Sequence, residues 1–273
     1  NYQREEKSLI NILHDNGVNY IRVRIWNGPY SEDGETYGGG TCDVESGLAI
    51  AKEAAKYGMK MLLDFHYSDF WADPAQQIIP KAWEDDKNDS DKMAQNVYEY
   101  TKETIEKFQQ TGVEIGMVQI GNEITNGMLG ITTNRDAGES YKGIWANESK
   151  SKQVNKYLSA GSKAVKEVSD ALVVLQLETP NVKKFKEIMD TWERDDVYYD
   201  VLGSSYYPYW STDKKANTPE TLTKVQKLAA DYGKLFVVLE TSWLTTVKDA
   251  DGTPNAVGEW ENTSAYPLTA QGQ

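Results

Sequence analysis

The chain has 273 residues, with 42 acidic against 29 basic side chains and a formal net charge of −13. That length fits one large α/β domain, and a hydrophobic content of 39% is enough for a sizeable core. So acidic a chain is a poor partner for nucleic acid or an anionic membrane surface, and repulsion would slow its encounter with an anionic polymer.

Cys42 is the single cysteine, so no intrachain disulfide can form. No run approaches the roughly 18 apolar residues that a membrane span needs. The sequence opens inside a polar helix, residues 1–16, so any signal peptide is expected to be absent already. Residues 18–26 (VNYIRVRIW) alternate and are rich in β-formers, which reads as a strand. Arg22 and Arg24 share one face of it. A charge inside a sheet needs partners; Arg24, near the strand tip, reads as a site residue, and Arg22 as a structural ion pair. A loop follows at 27–43, with three consecutive glycines but no Gly-Lys-Ser/Thr ending of a phosphate loop.

A helix is predicted over 44–57, then a strand over 60–66 (KMLLDFH) that carries Asp64 and His66 into its tip. The next loop, 67–74, is dense in aromatics and carboxylates. An amphipathic helix over 91–110 leads to the apolar run Val118-Gln119-Ile120-Gly121, which ends abruptly in Asn122-Glu123. A polar loop is predicted over 126–151. A helix (152–168) and a buried strand (171–177) follow, then a helix (182–192) and a strand (199–207) ending in Tyr206-Tyr207. A helix over 219–232 precedes the last strand, 235–240, which ends in Glu240. Six strands alternating with helices, without a linker, predict a single α/β domain.

Two strands that each deliver a glutamate at the tip fit the mouth of a (β/α)₈ barrel, where catalytic residues sit. An open doubly wound sheet fits the strand count too, but no Gly-x-Gly-x-x-Gly turn follows the first strand. Paired carboxylates across a cleft are what glycoside hydrolysis requires: one protonates the leaving oxygen and the other attacks or activates water. Any one such glutamate is as readily an ion-pair partner; two of them, Glu123 and Glu240, favour catalysis. Asn122 could bond a sugar hydroxyl, and Arg24, Tyr206 and Tyr207 could keep one glutamate ionised. Trp71, Trp83, Trp145, Trp210 and Trp243 would offer flat faces to sugar rings. With only His14 and His66 present, a catalytic zinc site is not expected. Asp249, Asp251, Thr253 and Asn255 present oxygen atoms at every second residue, which suits either calcium or a solvated acidic turn.

The segments YIRVRIWNGPY, YGGG, LLDFHYSDFWADP with PKAW, MVQIGNEITNGMLG, SSYYPYW and VVLETSW, running from about residue 17 to 273, resemble glycoside hydrolase family 53, the endo-β-1,4-galactanases. The resemblance implies a (β/α)₈ barrel in which Glu123 is the general acid/base and Glu240 the nucleophile of a retaining double displacement. Arg24, Asp64, His66, Asn122, Tyr206 and Tyr207 would line the subsite of bond breaking, and Trp71 would bind further sugars. It implies no catalytic cofactor, with a structural calcium at Asp249, Asp251 and Asn255, although Thr253 replaces a histidine that some members carry. Gln176 stands where the family resemblance leads one to expect a histidine, and Glu178 adds a carboxylate nearby.

The expectation is therefore one catalytic domain over 1–273, a barrel incomplete at both ends because the family's first and last strands are missing. Its substrate would be galactan in the side chains of pectin. The enzyme would be a monomer, secreted or at the cell surface, because a polymer is met outside the cell. A related retaining glycosidase acting on another β-linked polysaccharide, or a non-hydrolytic carbohydrate-binding barrel, are the alternatives.

Overall fold

In a computed structural model of the chain, residues 6–36, 41–134, 136–210, 219–248, 252 and 266–273 are described. Helix α1 (Leu9–Asp15) leads into β1 (Tyr20–Ile25), α2 (Val44–Ala55), β2 (Lys60–Phe65), α3 (Ser90–Gln109) and β3 (Glu114–Ile120). A small antiparallel pair, β4 (Gly127–Met128) and β5 (Ile131–Thr132), comes next, then α4 (Lys142–Trp145) and α5 (Glu148–Val168). The remainder alternates as β6 (Leu172–Glu178), α6 (Val182–Arg194), β7 (Val201–Ser205), α7 (Pro219–Asp231) and β8 (Leu235–Glu240). The six long strands form one curled parallel sheet in the order β1-β2-β3-β6-β7-β8, part of a (β/α)₈ barrel.

Parallel strands need helical crossovers, and these helices start where the sequence supplies caps. Asp43 accepts from the Ser46 amide ahead of α2, Asn147 from Lys150 ahead of α5, and Asn181 from Lys184 ahead of α6. The Asn147 cap is why α5 begins at Glu148, four residues before the predicted start. The predicted polar loop over 126–151 thus holds a β-pair, α4 and the first residues of α5.

One face of the sheet is apolar and packs on the helices. Ile25 meets α2 beside Gly47, and Ile120 meets α5 at Gly161. A Cβ on Gly161 would lie 2.7 Å from Ile120 and 3.1 Å from the Tyr67 hydroxyl, so α5 approaches the sheet only because that position has no side chain. Gly161→Val is expected to cost roughly 1–3 kcal/mol by overpacking; a thermal midpoint equal to the parent's would contradict this packing.

The opposite face is unusual for a sheet interior. In register across it lie Arg24, Asp64 and Gln119, then Gln176 beside Gly203 and Glu178 beside Ser205. The pairing of β7 with β8 slips by one residue between Ser204 and Ser205, so Glu240, not Leu239, comes opposite Ser205. A bulge of this kind re-aims a side chain. Gly203 makes room for it, since a Cβ there would sit 2.2 Å from Leu239.

Candidate active site

Asp64, Gln119, Asn122, Gln176, Ser204 and Ser205 are all buried. Buried polar groups must find partners; Ser204 donates to the Ser205 carbonyl, and the others meet one another around Arg22. Its Nη2 donates to Glu240 Oε1 (2.9 Å) and Asn122 Oδ1 (3.0 Å), and pairs with Asp64 Oδ2 (2.9 Å). Both Nε and Nη2 donate to Gln119 Oε1, at 3.2 and 3.1 Å. Arg22 is ion-paired, as expected, but one of its partners is the candidate site residue Glu240. Arg22, from the middle of β1, reaches Glu240, whereas Arg24, one residue pair nearer the rim, lies over the Trp71 ring at 4.1 Å. Arginine's long stem carries its charge well beyond its own Cα, so depth along the strand is a poor guide to reach.

Glu240 accepts three side-chain hydrogen bonds. Arg22 and Gln176 Nε2 both hold Oε1 at 2.9 Å, and the Tyr207 hydroxyl holds Oε2 at 2.9 Å. Burial and the neighbouring Glu240 carboxylate push the Tyr207 phenol up, so it remains a donor. Burial alone would lower the proton affinity of Arg22, but Asp64 and Glu240 outweigh it and raise it. Burial would likewise raise Asp64, yet Arg22 and His66 hold it below the usual carboxylate range.

Glu123 differs. It lies three residues past β3 with its backbone in the left-handed region, φ 46°, a conformation that a non-glycine residue holds only under constraint. The Gln176 carbonyl accepts from its amide (3.2 Å), and the Ser205 hydroxyl donates to its Oε1 (2.5 Å). Burial, with the Glu240 carboxylate second, pushes Glu123 up to about 8. At neutral pH Glu123 therefore carries a proton. Two carboxyls in one network, one an acid at pH 7 and the other gripped by three donors, can perform general acid catalysis beside a nucleophile.

The remaining predicted residues fall in different places. Asn122 is buried; its Oδ1 faces Arg22, and its Nδ2 donates to the Ala72 carbonyl (2.7 Å), its second N–H having no acceptor among the described residues. Asp64 and His66 are buried beneath the rim. His66 Nδ1 accepts from the Ala72 amide (3.0 Å), so Nε2 carries the hydrogen toward Asp64 (3.1 Å). Trp71 packs edge-on to Trp26 and His66. The Tyr206 amide donates to the Glu240 carbonyl (2.7 Å).

Beside Glu123 opens a cleft of about 320 Å³, lined by Pro74, Asn126, Glu178, Ser205, Tyr207 and Trp210 among others. Trp210 is 49% exposed and packs at a tilt against Tyr207, with ring centroids 4.6 Å apart. Trp83 and Trp145 are corrections: both are buried in the hydrophobic core, Trp83 against Tyr67 and Tyr100, and Trp145 against Trp192. Asp249, Asp251 and Asn255 lie outside the described residues. Among those described, no group of three His, Cys, Asp or Glu side chains is arranged to hold a metal ion, and no helix is long and apolar enough to cross a membrane.

Gln119 and Ser205 were missed from sequence, and Gln176 stood out only as a departure from the family pattern, with no role attached to it. Their signal was present: a polar residue at single inward positions within otherwise apolar strands, as in VQI and LVVLQL.

Comparison with known proteins identifies the family. The sequence model of glycosyl hydrolase family 53 matches residues 1–273. An endo-beta-1,4-galactanase of Bacillus subtilis (strain 168) is 41% identical over 276 residues, covering 100% of this chain and 59% of that protein. The chain thus spans about three fifths of the length of that curated relative. The solved GH53 catalytic domain of Ignisphaera aggregans superposes with a TM-score of 0.86 at 34% identity, over 99% of this chain and 71% of its own. A solved fungal beta-1,4-galactanase gives 0.78 at 26% identity, over 99% and 75%.

Proposed function

The chain belongs to glycosyl hydrolase family 53, and from that membership we propose that it forms the single catalytic domain of a retaining endo-β-1,4-galactanase. The observation that carries the proposal is the shared network of Glu123 and Glu240, in which burial and the Glu240 carboxylate drive Glu123 toward its protonated form while Arg22, Gln176 and Tyr207 donate to Glu240. A galactan chain lies in the cleft with its scissile bond between the two carboxyls. Glu240 attacks the anomeric carbon while Glu123 gives its proton to the departing oxygen, forming a glycosyl-enzyme. Glu123, now a carboxylate, takes a proton from water, which displaces Glu240 and restores the configuration.

Trp210, and Trp71 with Arg24 over its face, supply aromatic surface for neighbouring sugars. The N–H of Asn122 left unused by Ala72 is aimed at a sugar hydroxyl. A neutral polymer matches a chain of charge −13. The galactan side chains of pectin are the substrate, met outside the cell by a secreted or surface-held monomer. Asp249, Asp251 and Asn255 are assigned to a structural calcium site that takes no part in bond cleavage.

The test is release of reducing ends from linear β-1,4-galactan, with β-mannan and xylan in parallel. Galactan cleavage is the expected result. Cleavage of mannan or xylan in its place would move the enzyme to another substrate. Galactan binding without release, unaltered by Glu240→Gln, would make the domain a carbohydrate-binding barrel.

A further inference from the structure

The hydrogen-bond directions of the network follow from one fact: Arg22 can only donate. Because Gln119 Oε1 accepts from Arg22, the Gln119 Nε2 must face the other way, and it donates to Gln176 Oε1 at 2.7 Å. The backbone amide of Glu123, also donor only, reaches the same Gln176 oxygen. Gln176 Nε2 is therefore turned toward Ser205 Oγ (3.0 Å) and Glu240 Oε1 (2.9 Å). Ser205 Oγ accepts from Gln176, and among the described residues its own hydrogen has no acceptor but Glu123 Oε1. No described residue bonds Glu123 Oε2, on a side chain that lines the cleft.

We propose that Gln176 and Ser205 are positioning residues: the donor chain from Arg22 through Gln119, Gln176 and Ser205 ends on Glu123 Oε1, so the proton handed to the leaving group is carried by Oε2. This rests on reading Glu123 as the acid. In the first step the Oε2–H bond breaks as the glycosidic oxygen gains that proton, the bond from that oxygen to the anomeric carbon breaks, and Glu240 forms the new bond. The carboxylate left on Glu123 still accepts from Ser205 at Oε1, so Oε2 is again the oxygen that takes the proton from water. The non-ionisable amide of Gln176 makes the chain independent of pH. A histidine there could reverse its donors on protonation.

Ser205→Ala removes the last link and Gln176→Met removes the group that orients it. Each is assayed on galactan and on a nitrophenyl glycoside of a β-1,4-linked galactose oligosaccharide, whose leaving group needs no proton. General acid catalysis is worth about 10²–10⁴-fold, so disordering its proton should cost Ser205→Ala roughly tenfold on galactan and less than about twofold on the aryl substrate. In Gln176→Met, which also loses a contact to Glu240, both rates fall but the galactan-to-aryl ratio falls as well. Equal losses on both substrates would overturn the relay while leaving the galactanase reading intact. A parent that cleaves neither would overturn that reading, and the relay with it.

A second readout needs no turnover. The carboxyl ¹³C resonance of Glu123 should titrate about one pH unit higher in Ser205→Ala, because a hydrogen bond to the charged form has been removed. The other charged groups facing Glu123 are Arg22, Asp73, Glu178 and Glu240, and all are unchanged in that variant. An unmoved midpoint would overturn the proposal.

Discussion

Replacing Glu240 with alanine is expected to abolish galactan cleavage, with a loss of at least ~10⁴-fold in kcat, as for removal of a covalent nucleophile elsewhere. Arg22, Gln176 and Tyr207 all converge on this one carboxylate. None of the three can replace it: the Arg22 guanidinium has no free electron pair, the Gln176 oxygen is a weak amide nucleophile already accepting from Gln119 and the Glu123 amide, and the Tyr207 phenol is held protonated. A small anion such as azide, admitted to the space vacated by the side chain, would attack an activated aryl glycoside from the same side. It would then yield the α-glycosyl azide, a product that the parent cannot form. Substantial galactan cleavage by Glu240→Ala, with no response to azide, would remove Glu240 from the nucleophile role. Circular dichroism and thermal unfolding belong in the same experiment, because Arg22 in the variant keeps only Asp64 as a carboxylate partner.

Glu123→Gln is expected to lose about 10²–10⁴-fold on galactan and far less on attack at an aryl glycoside that needs no acid. Its pH profile should also change shape. Burial and Glu240 raise Glu123 to about 8, and a general acid works only while protonated. The parent's activity therefore falls as pH rises through about 8, and the residual activity of Glu123→Gln lacks that limb.

Stability follows the same sign. A group whose folded-state pKa lies above its unfolded value contributes most below the unfolded value, near 4.5, and that contribution fades as pH rises to about 8. Glu123→Gln should therefore gain thermal stability over the parent at pH 8 and lose that advantage near pH 4. A parent profile with no descending limb between pH 7 and 9 would place the acid elsewhere.

Much of this molecule is written in the order of its residues. The alternation of apolar runs with amphipathic segments determines the strand–helix repeat, because a buried strand and a half-buried helix demand different periodicities. Asp43, Asn147 and Asn181 set helix starts through local hydrogen bonds that span only three residues. Glu123 and Glu240 were legible as candidates because a charge at the end of an apolar run must leave the core at a strand tip. Gln176 and Glu178 also stood out against the family pattern.

What the tertiary structure alone decided is which side chains meet. Arg22 and Glu240 are 218 residues apart, and only the curl of the sheet brings β1 and β8 together around one cation. The one-residue slip between β7 and β8 turns Glu240 toward Ser205, and neither strand announces it, because register is a property of the pair. Trp83 and Trp145, aromatics in loops by sequence, are core residues because each lies in a short helical segment, Trp83 packed on α3 and Trp145, at the end of α4, packed on α5 and α6. Whether a polar residue is a structural partner or part of a catalytic network depends on distances between strands remote in sequence, and those are fixed by packing.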